Sequence, residues 1–324
     1  MNIRRRISTA AVAGASVLGL LALSACSSSD AAGSGGGKVK VTASFYPMEF
    51  LAAQIGGKHV EVTDLTKPGT EPHDLDLTAQ QTAQVSESDA IFYIKGLQPA
   101  VDEVIKQSGV ENVVEATSLT SLKEHGTEVD SHGHGEEEHG HEDEHAHEEE
   151  GGKDPHIWLD PVKYAEVAKG VNQALAKADP DHKADYQKNT DALVKKLEGL
   201  DADFKKGLKN RGSDTFISTH AAFGYLAERY GLTQEAISGL DPESEPSANR
   251  VKELHTLAKE HHVSTVFFET IANPATAKAL AGDLRLKTDV LDPIEGISAK
   301  SRGKDYFGVM RANLAALQKA LGSK

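Results

Sequence analysis

The sequence predicts an α/β fold of two lobes, each with a mostly parallel sheet flanked by helices, joined by one long backbone helix. Strand patterns alternate with helix patterns in the second half of the 324-residue chain, as βα units require. Between the halves, one apolar stripe runs for about thirty residues from Asp179-Pro180 without a turn signal. We therefore expect a linking helix at 179–211 and a metal or ligand cleft between the lobes.

The N-terminal lobe should cover residues 38–178. β-Branched alternation predicts its first two strands, an apolar run predicts a third, and Thr78 and Gly109 are helix-boundary residues. Asp160-Pro161 is a start signal for a further helix. In chain order the expected elements are strands at 39–45, 60–65 and 90–94, helices at 78–88 and 101–109, a mobile loop at 120–153, and a helix from 161.

The C-terminal lobe should cover residues 212–324, where short strand patterns alternate with helix patterns. Ser247 is the expected cap of one of these helices. The expected strands are 214–219, 234–240, 263–269 and 288–292, and the expected helices are 221–231, 247–262, 273–284 and 304–321.

The N-terminus has the features of an export signal. Three arginines at 4–6 precede an uncharged stretch to Ala25, which predicts a signal peptide at 1–25. Cys26 follows Leu23-Ser24-Ala25 in a lipobox-like pattern, so we expect it to be lipidated and 26–37 to be a flexible tether. The protein should then be extracytoplasmic, with the lipid anchor as its only contact with the cell membrane.

Composition excludes several classes of protein. The net charge is −14, and residues 132–150 alone supply nine of these negative charges. Nothing basic remains that would favour a nucleic-acid partner. There is no HExxH helix and no GxSxG elbow, so we do not expect an enzyme.

The same segment, HGHGEEEHGHEDEHAHEEE, is rich in metal-binding side chains. A flexible segment must order its backbone to chelate, so we expect weak, unselective accessory sites that capture or sense zinc. A solvated acidic linker without a metal role is the alternative. The six histidines concerned are His132, His134, His139, His141, His145 and His147.

A tighter site is expected where strands end, because ligands bind beyond the carboxyl ends of parallel strands. His73, His156, His220 and Asp292 lie in such loops or directly before helices. Three imidazoles and one carboxylate suit tetrahedral zinc, with manganese or nickel as weaker alternatives. Each residue also has a simpler explanation, since loop histidines are often exposed and Asp292 before Pro293 favours a turn. Glu71 or Glu269 could substitute for Asp292.

Several motifs resemble one family. The motifs are EPHDLDLT at 71–78, DPHIWLDP at 154–161, THAAFGYLAERYGL at 219–232, ESEPSANRV at 243–251 and LDPIEG at 291–296. They are similar to the zinc- and manganese-binding components of bacterial ABC importers, ZnuA-like in type. The resemblance implies two lobes around a rigid helix, ligands at His73, His156, His220 and a late acidic residue, here Asp292, and an ABC importer permease as partner. It favours zinc, since the manganese members have a carboxylate where this chain has His220.

We therefore predict extracytoplasmic capture of zinc by a monomer and its delivery to a membrane permease for import. The alternatives are a zinc store or chaperone, or a manganese-binding surface lipoprotein or adhesin. A hydrolytic zinc enzyme is the third, because three histidines and a water would form a reactive centre.

Overall fold

The structure, a computed structural model, describes residues 37–126 and 153–323. The predicted signal peptide, Cys26 and the six histidines of the segment 132–150 lie outside these residues and remain predictions. Within the described residues, no helix is both long enough and apolar enough to cross a membrane.

The first sheet is fully parallel, with the order β2-β1-β3-β4. β-Branched residues alternate along β1, which pairs with β2 in the register Val39↔Val60. Its elements in order are β1 (Val39–Ala43), α1 (Tyr46–Gly56), β2 (Val60–Asp64), α2 (Ala79–Ser86), β3 (Ala90–Tyr93), α3 (Pro99–Ser108) and β4 (Val113–Glu115).

The second sheet repeats this topology, with the order β6-β5-β7-β8 and parallel pairing throughout. In both sheets the second strand lies on one side of the first strand, and the third and fourth strands lie on the other side. This change of side opens a crevice at the carboxyl edge of the sheet. Its elements are β5 (Thr215–Ser218), α6 (Gly224–Tyr230), β6 (Thr233–Ala236), α7 (Ala248–Glu260), β7 (Thr265–Phe268), α8 (Ala275–Leu284), β8 (Lys287–Val290) and α9 (Tyr306–Ala320). The predicted fold class is confirmed.

Two consecutive helices connect the sheets. In α4 (Pro161–Ala178), Asp160 caps the first turn by accepting a hydrogen bond from the backbone of Val162. The expected linking helix is α5 (Lys183–Gly207), whose 25 residues span about 37 Å. It begins later than Asp179 because Pro180–His182 form a 3₁₀ turn.

Buried aromatic side chains join the first half of the chain to the second half by hydrogen bonds. The indole of Trp158 is fully buried and donates a hydrogen bond to the carbonyl of Pro293 at 2.7 Å. The hydroxyl of Tyr306 donates to the carbonyl of Trp158 at 2.7 Å. The hydroxyl of Tyr164 donates to the carbonyl of Pro47 at 2.6 Å. The first two bonds join the middle of the chain to its C-terminal part, and the third joins the middle to the N-terminal part.

The structure differs from the sequence-based map in three places within the first lobe. Helix α1 and strand β4 were not predicted. The expected loop at 120–153 also has an ordered beginning, because the backbone N–H of Asp154 donates to the carbonyl of Lys123 at 2.9 Å. The described residues on either side of the segment 127–152 are therefore held next to one another.

Candidate metal centre

Three predicted histidines reach one centre from three different loops. His73 lies in the connection between β2 and α2, and His220 directly follows β5. His156 precedes a 3₁₀ turn at Ile157–Leu159, which leads into α4. Two of the three loops follow strands at the carboxyl edges of their sheets, where ligands of parallel sheets bind.

Glu295 completes the group. One ligand atom from each of His73, His156, His220 and Glu295 lies within 4.8 Å of the others. Glu295 Oε1 lies 3.4–3.6 Å from the Nε2 atom of each histidine, and the Nε2 atoms of His156 and His220 are 3.4 Å apart. Bonds of about 2.1 Å in a tetrahedral zinc site put neighbouring donors about 3.4 Å apart. Four of the six distances between donor atoms therefore match those of a zinc tetrahedron, and all six are within 4.8 Å.

Two further carboxylates orient the imidazoles. Nδ1 of His156 donates to Asp154 Oδ1 at 2.8 Å, and Nδ1 of His220 donates to Glu269 Oε1 at 2.6 Å. These bonds leave the Nε2 atoms facing the centre. A carboxylate on the second nitrogen is the usual support for a metal-bound histidine, because it fixes the ring and makes it a stronger ligand.

The centre is largely buried, and its carboxylates and imidazoles shift each other's pKa values in opposite directions. Burial alone would raise the pKa of Glu295, but the three histidines that face it hold that pKa well below its usual range. Burial opposes protonation of His220, but Glu269 and Glu295 outweigh it and raise the pKa of His220 well above its usual value. Burial likewise opposes protonation of His156, whose pKa is nevertheless raised by Asp154 and Glu295. The carboxylates and the imidazoles thus stabilise each other's charged forms in a site that contains little water.

Asp292, predicted as the fourth ligand, does not lie in this group, and its place is taken by Glu295. Asp292 Oδ1 accepts a hydrogen bond from the backbone of Ile294 at 2.8 Å, and Oδ2 accepts one from the hydroxyl of Thr270 at 2.9 Å. Its backbone N–H donates to Asn313 Oδ1 at 2.9 Å. Both carboxylate oxygens are used to build the turn.

This turn presents Glu295. Ile294 has a φ of 61°, a left-handed conformation that is uncommon for a β-branched residue. The bond from Ile294 to Asp292 stabilises it and turns the next side chain towards the histidines. Burial raises the pKa of Asp292 to about 6. An aspartate before proline is a turn former, so LDPIEG did contain a signal that its glutamate was the freer carboxylate.

Neither of the two substitutes suggested for Asp292 belongs to the group. Glu269 supports His220, as described above. Glu71 Oε1 accepts a 3.3 Å hydrogen bond from the backbone of His73. Burial, followed by repulsion from Glu295 and Glu269, raises the pKa of Glu71 to about 9, so its carboxyl is protonated at neutral pH. A protonated carboxyl is a poor metal ligand, which favours Glu295.

Comparison with known proteins gives the family. The family model described as "Zinc-uptake complex component A periplasmic", ZnuA, matches residues 41–320. The chain belongs to the ZnuA family. It is 36% identical over 307 residues to the high-affinity zinc uptake system protein ZnuA of Bacillus subtilis, covering 93% of this chain and 94% of that protein.

Other known proteins share the fold. The chain is 34% identical over 288 residues to the zinc-binding lipoprotein AdcA of Streptococcus pneumoniae, covering 87% of this chain but only 56% of that longer protein. A crystal structure of Zn(II)-bound AdcA from the same species matches with a TM-score of 0.71 at 31% identity, over 89% of this chain and 59% of that one. The laminin-binding protein Lbp of Streptococcus pyogenes matches with a TM-score of 0.72 at 32% identity, over 88% of this chain and 100% of that one.

Proposed function

We propose that this chain captures one zinc ion outside the cytoplasm and delivers it to the permease of an ABC importer. The observation that carries the proposal is the spacing of the donors: the Nε2 atoms of His73, His156 and His220 each lie 3.4–3.6 Å from Glu295 Oε1, and the side chain of His73 is 10% exposed while the other three are buried. Membership of the ZnuA family supports the same function.

The donor set favours zinc over manganese. Three neutral imidazoles and one carboxylate satisfy tetrahedral zinc, whereas manganese prefers more oxygen ligands and higher coordination numbers. The carboxylates Asp154 and Glu269 support histidine nitrogens rather than adding oxygen donors. Zinc is therefore the proposed cargo.

A carrier fits this set better than an enzyme does. A catalytic zinc keeps one coordination position open for water, with three protein ligands. Here Glu295 supplies a fourth ligand beside the three histidines, and its side chain is only 1% exposed. A closed, buried tetrahedron holds an ion without activating a water, so binding without turnover is the proposed activity.

The predicted anchor and domain boundaries complete this proposal. Lipidated Cys26 and the tether at 26–37 would hold a monomeric body at the outer face of the cell membrane, near the permease. The lobes would be 38–178 and 212–324, with 179–211 as the link between them.

The histidine- and acid-rich segment is proposed as an accessory. Its six histidines are His132, His134, His139, His141, His145 and His147. Lys123 and Asp154, on either side of it, are hydrogen-bonded to each other, and Asp154 in turn holds His156. Zinc bound weakly by this segment would be released close to the tight site.

Competition titration with a zinc-chelating dye, together with metal analysis of the purified protein, tests the proposal. We expect the protein to bind one zinc ion tightly. Glu295→Gln, which removes a charged ligand, should lower the affinity for this ion by at least about 100-fold. Glu260→Gln, at an exposed glutamate on α7, is the matched control and should bind normally. Deletion of 127–152 should remove only weak binding. If that deletion abolished the tight zinc while Glu295→Gln did not, a storage role for the segment would replace the carrier proposal.

A further inference from the structure

Residues 123–126 lie against α6, next to the loop that contains His220. The backbone N–H of Lys123 donates to the hydroxyl of Tyr225 at 3.0 Å, and this hydroxyl donates to the carbonyl of Asp154 at 2.8 Å. The ring of His125 meets the ring of Tyr225 edge-on, with centroids 4.6 Å apart. A Cβ atom on Gly224 would lie 2.4 Å from the Cβ of His125, so glycine is needed for this close approach. The position of His125 is thus built into the fold.

His125 repeats the arrangement of the ligand His156. Both rings place Nδ1 on the same carboxylate: His156 on Asp154 Oδ1 at 2.8 Å and His125 on Asp154 Oδ2 at 2.9 Å. Asp154 is fully buried and accepts a hydrogen bond from each of the two rings. A histidine oriented in this way presents a basic Nε2 atom.

Nε2 of His125 faces a carboxylate, as the Nε2 atoms of the buried centre do. Glu228 Oε2 lies 3.2 Å away, close to the 3.4–3.6 Å spacing around Glu295. The side chain of His125 is 20% exposed and that of Glu228 is 45% exposed, so an ion from solvent can reach both. The pair opens into a cavity of about 570 Å³ that is also lined by Glu124, Glu235 and Glu253.

Two cations compete for these carboxylates. Lys123 forms an ion pair with Glu228 through Oε1, the oxygen that His125 does not contact. Arg250 pairs with Glu235 at 2.9 Å and with Glu253 at 3.0 Å, so these two carboxylates share one guanidinium. The competition from Lys123 makes any ion at the His125–Glu228 pair weaker and more exchangeable than one in the buried centre.

We propose that His125 Nε2 and the Glu228 carboxylate form a second, outer site for zinc or a similar divalent transition metal. Water would fill the remaining coordination positions. Asp154 accepts a hydrogen bond from one histidine of each site, so a single carboxylate connects the ligands of the outer ion with those of the inner one. This site is made only of described residues and is independent of the histidines of the segment 132–150.

The test removes the histidines of that segment first, so that weak binding there does not interfere. The background chain carries His132→Gln, His134→Gln, His139→Gln, His141→Gln, His145→Gln and His147→Gln. Zinc titration of this chain, by dye competition and isothermal calorimetry, should show one tight and one weak ion.

Variants then place the weak ion. His125→Gln and, separately, Glu228→Gln should weaken it by at least about tenfold while one tight zinc remains bound. Lys123→Ala should strengthen it about two- to fivefold, the value of an exposed ion pair. His261→Gln, at an exposed histidine after α7, is the matched control and should change neither ion.

A crystal of the background chain grown with excess zinc gives a second readout. An anomalous peak about 2.0–2.2 Å from both His125 Nε2 and a Glu228 oxygen supports the site. The proposal is overturned if the background chain binds only one zinc. It is also overturned if the weak ion is unaffected by both His125→Gln and Glu228→Gln, or is lost in His261→Gln. If His125→Gln does not fold, Glu228→Gln is the variant that tests the proposal, because no hydrogen bond joins Glu228 to Asp154 among the described residues.

Discussion

Glu269 Oε1 lies 2.6 Å from Nδ1 of His220, and both side chains are buried. The carboxylate fixes which nitrogen of His220 carries hydrogen, so the other faces Glu295. Asp154 has the same relationship to Nδ1 of His156. The geometry of the site is therefore set by residues that do not themselves face the ion.

Glu269→Gln should weaken zinc binding about 10- to 100-fold, as loss of a carboxylate behind a metal-bound histidine generally does. The amide oxygen can still accept from Nδ1, so the ring should stay in place while its basicity falls. Dye competition measures the affinity, and Glu243→Gln, at an exposed glutamate, is the control. Equal zinc affinity in Glu269→Gln and the original chain would show that hydrogen bonding alone suffices.

Trp158 links stability to zinc binding. Trp158→Phe removes the donor to the carbonyl of Pro293, two residues before Glu295, and leaves that buried carbonyl unpaired. An unsatisfied buried acceptor costs about 1–3 kcal/mol, so the urea midpoint should fall. Zinc affinity should fall as well, because the turn that presents Glu295 loses its support.

The control for Trp158→Phe is Tyr164→Phe. It removes a similar buried bond, to the carbonyl of Pro47, away from the Glu295 turn. Tyr164→Phe should lower the urea midpoint by a comparable amount with little change in zinc affinity. If both variants lost zinc affinity equally, general loosening of the fold would explain the effect better than the turn does.

The elements that the sequence predicted have a clear period, a boundary residue or a short apolar run bounded by turns. Strands β1 and β2 and the amphipathic α4 and α5 were recognisable by their period. Helix α1 was missed because it is buried on most sides: Met48, Phe50, Leu51, Ala52 and Ile55 are all buried, so no polar face marks a helical period. Strand β4, at three residues, is too short to show any alternation.

The site was predictable only to the level of its loops. Strand ends indicated where His73, His156 and His220 would meet, because the carboxyl edge of a parallel sheet is a fixed feature. The choice between Asp292 and Glu295 depends on the left-handed backbone of Ile294. Asp292-Pro293 indicated a turn locally, but the bonds that hold Asp292 in it, to Thr270 and Asn313, are tertiary contacts that no local pattern contains.

Asp292 and Glu295 can be separated by paired substitutions. In Asp292→Asn, the side-chain oxygen can still accept from Ile294, and the amide can donate to the hydroxyl oxygen of Thr270, which in the original chain donates to Asp292 Oδ2, so the turn should survive. Zinc affinity should change less than about tenfold in Asp292→Asn, against a far larger loss in Glu295→Gln. Dye competition on the two purified variants measures both values. The reverse order would restore Asp292 as the fourth ligand.

Asp64, at the end of β2, makes stability depend on pH away from the metal centre. Burial, together with repulsion from Glu49, raises the pKa of Asp64 to about 7. Its folded-state pKa lies above the ordinary value near 4, so the folded state binds the proton more tightly. Stability should therefore be highest below about pH 4 as far as this group is concerned, and should fall as the pH rises through about 7.

Asp64→Asn removes this ionisation but keeps the hydrogen bonds. The amide oxygen can accept from the backbone of Thr66, as Asp64 Oδ1 does at 2.9 Å, and the amide can donate to Glu49. Urea unfolding should show the variant to be more stable than the original chain at pH 8, with the difference shrinking towards pH 5. Asp203→Asn, at an exposed aspartate on α5, should show no such trend. A gain from Asp64→Asn that is the same at both pH values would mean that packing, rather than the buried charge, is responsible.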